Sequence, residues 1–318
     1  MPDERPVGEF DLIRAIARRT SSNPRIEIGI GDDCASIRFT AGAEVLVTTD
    51  MLMEGRHFLL ESAPIEEIGH KCLAVNLSDI AAMAGRPVAA VVAVALPRSR
   101  TFETAMGLQA GMERLAAEFG VAIVGGDTNV WDGPLVVSIT LMGEPTGRGP
   151  VRRSGAKPGD AIFVTGALGG SGVSGRHLRP RPRIIEAQTL HLAVDLHAMI
   201  DLSDGLAGDL RHILAESGNL GATLDARAIP IHDDVPRHLD PIASALSDGE
   251  DFELCFTVGS DDAAKLVVSP PPGVQLHRIG NIETEPGLRI REANGRVVPC
   301  SARGFDHGNA PNSRAGHA

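Results

Sequence analysis

Strand-length apolar runs alternate along this chain with helix-length segments, and that alternation confines it to folds that layer helices on sheets. Residues 9–19 place Phe10, Ile13, Ile16 and Ala17 at helical spacing, residues 65–84 are alanine-rich and close before Arg86-Pro87, and residues 101–119 predict a further helix. Strands are expected at 45–47, 88–96, 121–124 and 135–142. The same grammar restarts with strands at 161–165, 198–200 and 253–258 and a helix at 206–216. Between the two halves, residues 148–160 (RGPVRRSGAKPGD) are rich in Gly, Pro and Arg and read as a linker. The expected organisation is an N-terminal domain over 1–147, a C-terminal α/β domain over 148–305 and a flexible tail over 306–318.

Composition narrows the function. With 43% hydrophobic and 22% charged residues in 318, the chain has enough apolar material for two cores. The longest apolar run, 88–96, is too short to span a bilayer, and the opening Met1-Pro-Asp-Glu-Arg5 lacks the pattern of a secretory leader. Cys34, Cys72, Cys255 and Cys300 are far apart and form no CxxC pair, which points to a reducing, cytoplasmic setting without zinc or a disulfide framework. Thirty basic against 41 acidic residues leave a net charge of -11, which disfavours nucleic acid, and one Trp with no Tyr gives few stacking platforms. A polyanionic small molecule remains open to such a chain only where cations mediate its binding.

The aspartates supply that possibility. Three segments read as an apolar strand stopping at an acid: VLVTTD ending at Asp50, VAIVGGD ending at Asp127, and AMIDLSD with Asp201 and Asp204. Asp32-Asp33 in GIGDDC and Asp79 in NLSDI add two more. Any one of these acids is explained by the preference of Asp for turns and caps, but five such segments together suit a hard-cation site. Neighbouring carboxylates repel one another unless cations neutralise them, and magnesium bridges carboxylates to phosphates while keeping several waters. Thr48 and Thr49 offer neutral oxygens beside Asp50. None of the three lysines lies in a GxxxxGK[ST] loop, and the glycine pairs at 29–31 and 166–170 are weak dinucleotide signals.

At these residues the chain resembles the bacterial thiamine-monophosphate kinases, whose superfamily includes aminoimidazole ribonucleotide synthetase and selenophosphate synthetase. The matching blocks are GEFDLI (8–13), GIGDDC (29–34), TTDMLMEGRHF (48–58), HKCLAVNLSDIAAM (70–83), GGDT (125–128), RSGAKPGD (153–160), VTGALG (164–169), DLSDGLAGDL (201–210) and GEDFELCFT (249–257). The resemblance implies a two-domain α/β (α+β) fold like that of aminoimidazole ribonucleotide synthetase, with the N-terminal sheets of a homodimer closing into one barrel. It implies ATP-dependent phosphorylation of thiamine monophosphate to thiamine diphosphate with several Mg2+ ions. By position it assigns metal to Asp33, Thr48, Thr49, Asp50, Asp79, Asp127, Asp201 and Asp204. Gly126, Asp127, Arg153 and Ser203 would touch ATP, and His57, Glu250 and Phe305 the acceptor. Each has an ordinary alternative, His57 as a surface histidine by a turn, Arg153 as a linker charge, Phe305 as a core anchor.

Two departures stand out. Residues 169–175 (GGSGVSG) run almost directly into 176–180, where the family carries a helix of a few turns, and Phe252 and Phe305 stand where Tyr is common. A phosphate monoester acceptor, with a second pKa of about 6, needs no general base, so the lack of a base–nucleophile pair is expected of direct in-line transfer. The rival readings are another ATP-dependent synthetase of the superfamily and a non-catalytic binder of thiamine phosphate or nucleotide.

Overall fold

In the computed structural model, which describes residues 14–20, 23–30 and 34–304, the chain divides into two units. The first holds the described residues up to Leu77 together with Pro87–Glu144; the second holds Ser78–Arg86 and the described residues from Pro145 onward. Of the helix expected over 9–19, residues 14–17 are helical and 9–13 lie outside the described residues.

Four strands of the first unit form one sheet: β3 (Leu46–Met53), β4 (Gly85–Pro97), β5 (Ala122–Trp131) and β6 (Val136–Pro145), in the order β3-β6-β4-β5. A small antiparallel pair, β1 (Ile26–Ile28) and β2 (Ser36–Ile37), precedes them. β4 and β5 run parallel, as their connection through α2 (Thr101–Phe119) requires, whereas β3 and β6 are antiparallel. Along β6 the pleat buries Val137, Ile139 and Leu141 and turns Ser138, Thr140 and Met142 toward the half-exposed face. The same alternation on β3 leaves Val47, Met51 and Met53 exposed. α1 (Ile65–Ala82) packs on α2 through glycine: a Cβ on Gly111 would lie 1.9 Å from the Glu66 carbonyl oxygen, and one on Gly69 2.2 Å from that of Leu108. Only side-chain-free positions permit backbones to come so close.

Two of the expected strand endings are corrected here. β3 runs on through Asp50 to Met53, and β5 runs on through Asp127 to Trp131, because both remain paired with a neighbour over that length. Opposite Ala90 and Val91 of β4 the register slips, leaving Val124 of β5 unpaired as a bulge immediately before Gly125-Gly126. Such a bulge reverses which side chains face which side, and here it re-aims Asp127.

The second unit carries a seven-stranded sheet of β7 (Ala161–Val164), β8 (Leu196–Asp201), β9 (Gly221–Asp225), β10 (Leu254–Val258), β11 (His277–Glu283), β12 (Gly287–Arg291) and β13 (Val297–Pro299). Its order is β13-β12-β9-β11-β7-β10-β8. Alternating strands and helices do not make this sheet parallel: its pairs are antiparallel except β9 with β12. β7 and β10 are buried along their whole length, which accounts for their apolar runs, interrupted only at Thr257, and Phe163 stacks on Phe256 at 5.5 Å between ring centroids. α5 (Leu206–Glu216) lays Leu206, Leu210, Ile213 and Leu214 on the core formed with Ile162, Val164, Ala198 and Ile200. α4 (Ile184–Ala193), α6 (Pro241–Ser247) and α7 (Ser260–Val268) complete the unit. After β7 there is one turn of helix, α3 (Ser171–Ser174), and a 3-10 turn, Arg176–Leu178.

The stretch 148–160 has neither helix nor strand, yet it packs within the second unit. Val151 N–H donates to the Met83 carbonyl at 3.2 Å, and Met199 N–H to that of Arg152 at 2.9 Å. Among the described residues no helix is long and apolar enough to cross a membrane.

Candidate functional site

In the first unit, β3 carries Thr48, Thr49 and Asp50, and the period of the strand divides them. Thr48 and Asp50 share the half-buried face, while Thr49 is exposed on the other, its hydroxyl accepting from that of Thr140 at 3.1 Å. One cation reached by the Thr48 and Asp50 side chains would therefore meet Thr49 only through its backbone. Asp50 lies close enough to α1 for its charge to add to the effect of burial on Cys72, whose thiol is pushed up to about 12. Asp127 is exposed and accepts from Asn129 Nδ2 at 2.7 Å. A Cβ on the preceding Gly126 would lie 1.8 Å from the Val92 carbonyl oxygen, so β4 admits only glycine there. β3 and β5 are the outer strands, so three strand spacings, roughly 14 Å, lie between the strands that carry Asp50 and Asp127.

His57 follows β3 in a turn opened by Gly55 (φ 85°), where Gly55 N–H donates to the Phe58 carbonyl at 2.9 Å. Met53 N–H donates to His57 Nδ1 at 3.0 Å, which makes Nδ1 the acceptor and places the proton of a neutral ring on Nε2. Lys71, 1% exposed, donates from Nζ to the His57 carbonyl at 2.8 Å and so holds the main chain of the same residue. Lys71 was not among the residues expected from sequence; a lysine inside an alanine-rich apolar helix was the available signal.

In the second unit, Asp201 is the last residue of β8 and is buried. Ser78 Oγ donates to Asp201 Oδ2 at 2.7 Å, which ties the helical turn bearing Asp79 to that strand end. Three residues on, Asp204 N–H donates to Asp209 Oδ2 at 3.0 Å. Burial, then the charges of Asp201 and Asp204, push the Asp209 carboxyl up to about 8. Asp209 too went unnoticed in the sequence, although it interrupts the apolar stripe of α5. Asp201 and Asp204 thus each repel Asp209, the electrostatics a hard cation relieves. Among the described residues no three His, Cys, Asp or Glu side chains are grouped to hold an ion alone. An all-oxygen donor set of this kind fits magnesium that completes its shell with water and phosphate oxygens.

The GEDFE turn is bonded to the same loop. Glu250 N–H donates to the Ser203 carbonyl at 2.7 Å, Phe252 N–H to that of Leu202 at 2.9 Å, and Leu202 N–H to that of Glu253 at 2.8 Å. Glu250 and Phe252 both adopt the left-handed conformation, at φ 56° and 52°, a cost of about 1–2 kcal/mol each for side-chain-bearing residues. The buried carboxylates beside them hold the turn: Asp251 accepts from Gly169 N–H at 2.9 Å and from Arg176, and Glu253 from Thr165, at 2.7 Å, and Arg183. Burial dominates at Asp251 and raises its carboxyl to about 6 despite the Arg176 cation. Arg153 is exposed in the second unit, its carbonyl 3.5 Å from the Ser217 hydroxyl. Asp33 and Phe305 lie outside the described residues.

Residues 31–144 match the N-terminal domain, and 157–292 the C-terminal domain, of AIR synthase related proteins. These two matches define the class: a mixed α/β, two-domain protein of the AIR synthase type. Within it, the chain belongs to the thiamine-monophosphate kinase family. It is 40% identical over 312 residues to the thiamine-monophosphate kinase of Rhodopirellula baltica, covering 94% of this chain and 97% of that one. The crystal structure of thiamine-monophosphate kinase from Stenotrophomonas maltophilia K279a is similar at a TM-score of 0.77 and 37% identity, covering 89% and 96%. AaThiL complexed with AMPPCP and TMP is similar at a TM-score of 0.74 and 30% identity, covering 95% and 97%.

Proposed function

We propose that this chain transfers the γ-phosphoryl group of ATP directly to the phosphate of thiamine monophosphate, releasing ADP and thiamine diphosphate. The observation that carries the reading is the 2.7 Å bond from Glu250 N–H to the Ser203 carbonyl, which joins the acid-bearing DLSD loop to the GEDFE turn. It supports a nucleotide contact at Ser203 and an acceptor contact at Glu250 in neighbouring loops. The complex of AaThiL with AMPPCP and TMP, an ATP analogue and the acceptor, supports the same substrates.

Asp33, Asp50, Asp79, Asp127, Asp201 and Asp204, with oxygens of Thr48 and Thr49, would hold magnesium, which when bound neutralises charge on the phosphates. Gly126, Asp127, Arg153 and Ser203 serve ATP; His57, Glu250 and Phe305 serve the acceptor. The acceptor phosphate, with a second pKa of about 6, carries nearly two charges at neutral pH, so one of its oxygens attacks without a protein base. That oxygen forms the new P–O bond as the bond from the γ-phosphorus to the bridging oxygen of ADP breaks. What the chain supplies is alignment of two polyanions and exclusion of water. His57 Nε2–H, fixed by the Met53 bond to Nδ1, suits a donor to phosphate.

The working form in this reading is a homodimer whose N-terminal sheets close into a barrel. Two features support it: Val47, Met51 and Met53 are exposed among the described residues, and Asp50 and Asp127 sit on opposite edge strands. Incubation with ATP, Mg2+ and thiamine monophosphate, resolved by chromatography, is expected to give thiamine diphosphate and ADP in equal amounts. ADP formed without thiamine diphosphate, or no turnover at all, refutes the assignment.

A further inference from the structure

The segment after β7, one turn of helix and a 3-10 turn, is absorbed by none of the roles above. Its glycines bring it against the back of the GEDFE turn. Gly169 N–H donates to both Asp251 oxygens, at 2.9 and 3.1 Å, and Gly170 N–H to Asp248 Oδ2 at 3.0 Å. Ser171 Oγ donates to the Glu250 carbonyl at 2.7 Å. A Cβ on Gly170 would lie 2.8 Å from the Asp234 carbonyl carbon, so that approach, too, needs glycine.

The 3-10 turn that follows places Arg176 where one guanidinium reaches three groups. Nη2 donates to Asp251 Oδ1 at 3.0 Å and to the Gly169 carbonyl at 2.9 Å, while Nε donates to Asp234 Oδ2 at 2.9 Å. Seven residues later Arg183 grips Glu253, its Nε 2.8 Å from Oε2, with Nη2 on the other oxygen. Asp251 and Glu253 are both 5% exposed. They bracket Phe252 and follow Glu250, the two residues held in the left-handed conformation. The two arginines therefore anchor the alternate residues of a turn whose remaining residues are conformationally strained.

We propose that Arg176 is a positioning residue for acceptor recognition: through Asp251 it holds the Glu250 turn in its left-handed conformation, with Arg183–Glu253 as the fixed end of the brace. The proposal rests on the reading of Glu250 as an acceptor contact. The planar fork matters, because a point charge reaches Asp251, Asp234 and the Gly169 carbonyl less well at once. A single helical turn, Ser171–Ser174, is what brings Arg176 back over the turn it braces.

Steady-state kinetics on the full chain, with ATP, Mg2+ and thiamine monophosphate, separates bracing from general stability. Arg176→Ala is expected to raise KM for thiamine monophosphate roughly tenfold and to leave KM for ATP within about twofold, with Arg176→Lys between wild type and Ala. In a Glu250→Ala background, itself raised in acceptor KM, adding Arg176→Ala is expected to change that constant little further. An equal rise in both Michaelis constants, or an undiminished effect in the Glu250→Ala background, overturns the proposal. An unchanged acceptor KM in Glu250→Ala alone overturns instead the reading of Glu250, and the proposal with it. Should Arg176→Ala fail to fold, Asp251→Asn keeps the side-chain shape and carries the same expectations.

Discussion

Removing Arg183 is expected to destabilise the second unit far more than the loss of an ordinary surface cation. Its guanidinium meets both Glu253 oxygens side-on, and Nη1 donates to Glu186 Oε1 at 3.2 Å. The Glu253 side chain is 6% exposed and that of Arg183 24%, so water screens the pair little. Without Arg183, two carboxylate oxygens in the interior keep one side-chain donor, the Thr165 hydroxyl at 2.7 Å. Breaking such a pair from one side costs about 3–5 kcal/mol, and the partial exposure of Arg183 argues for the lower end, about 3 kcal/mol. Arg183→Met keeps much of the packing volume while deleting the charge. Urea unfolding analysed by linear extrapolation measures the loss. Adding Glu253→Gln to Arg183→Met should recover most of it, because the buried charge disappears with its partner. A loss below about 1 kcal/mol in Arg183→Met, or no recovery in the double variant, would refute the claim that the pair is interdependent.

Asp251 predicts a pH dependence of stability. Its folded carboxyl titrates at about 6 against an ordinary 3.8, so between these values the folded state keeps a proton that the unfolded chain releases. Stability should fall by about 3 kcal/mol as pH rises from about 4 to 6, and Asp251→Asn should flatten that part of the profile; an unchanged slope in thermal unfolding counts against it. ATP binding followed by calorimetry should vanish in excess chelator, since clustered acids do not bind a polyanion without cations; tight binding with chelator present defeats the metal bridge. Asp79→Asn should lower turnover roughly a hundredfold at saturating magnesium with the circular dichroism spectrum unchanged, and near wild-type turnover removes Asp79 from the site. Light scattering at micromolar concentration should give twice the chain mass of 33.4 kDa, and a strictly monomeric mass contradicts the shared barrel.

The local pattern of the chain carried most of its elements. Residues 101–119 form a helix with the expected limits, and the runs at 161–165 and 253–258 became the buried strands β7 and β10, because apolar period and flanking glycines act within a few residues. The grouping of acids was visible as well, as five Asp-bearing segments in a chain with three lysines, and it is on this that the proposed cation rests. Strand direction, strand length and facing were not. β3 continues past Asp50 because β6 pairs with it over eight residues, and Thr49 turns away from Thr48 and Asp50 because that pairing holds the pleat in register. The seven-stranded sheet is largely antiparallel although its strands alternate with helices, a matter of which strands meet rather than of which residues compose them. Ser78 reaching Asp201 across 123 residues, and Arg176 reaching Asp251 across 75, depend on close approach between segments that no local rule relates. The sequence by itself determined the kinds of element and the chemistry of the loops, which short-range sterics and charge dictate. Tertiary packing alone decided which carboxylates lie buried beside which donors, and so which of them can hold a turn.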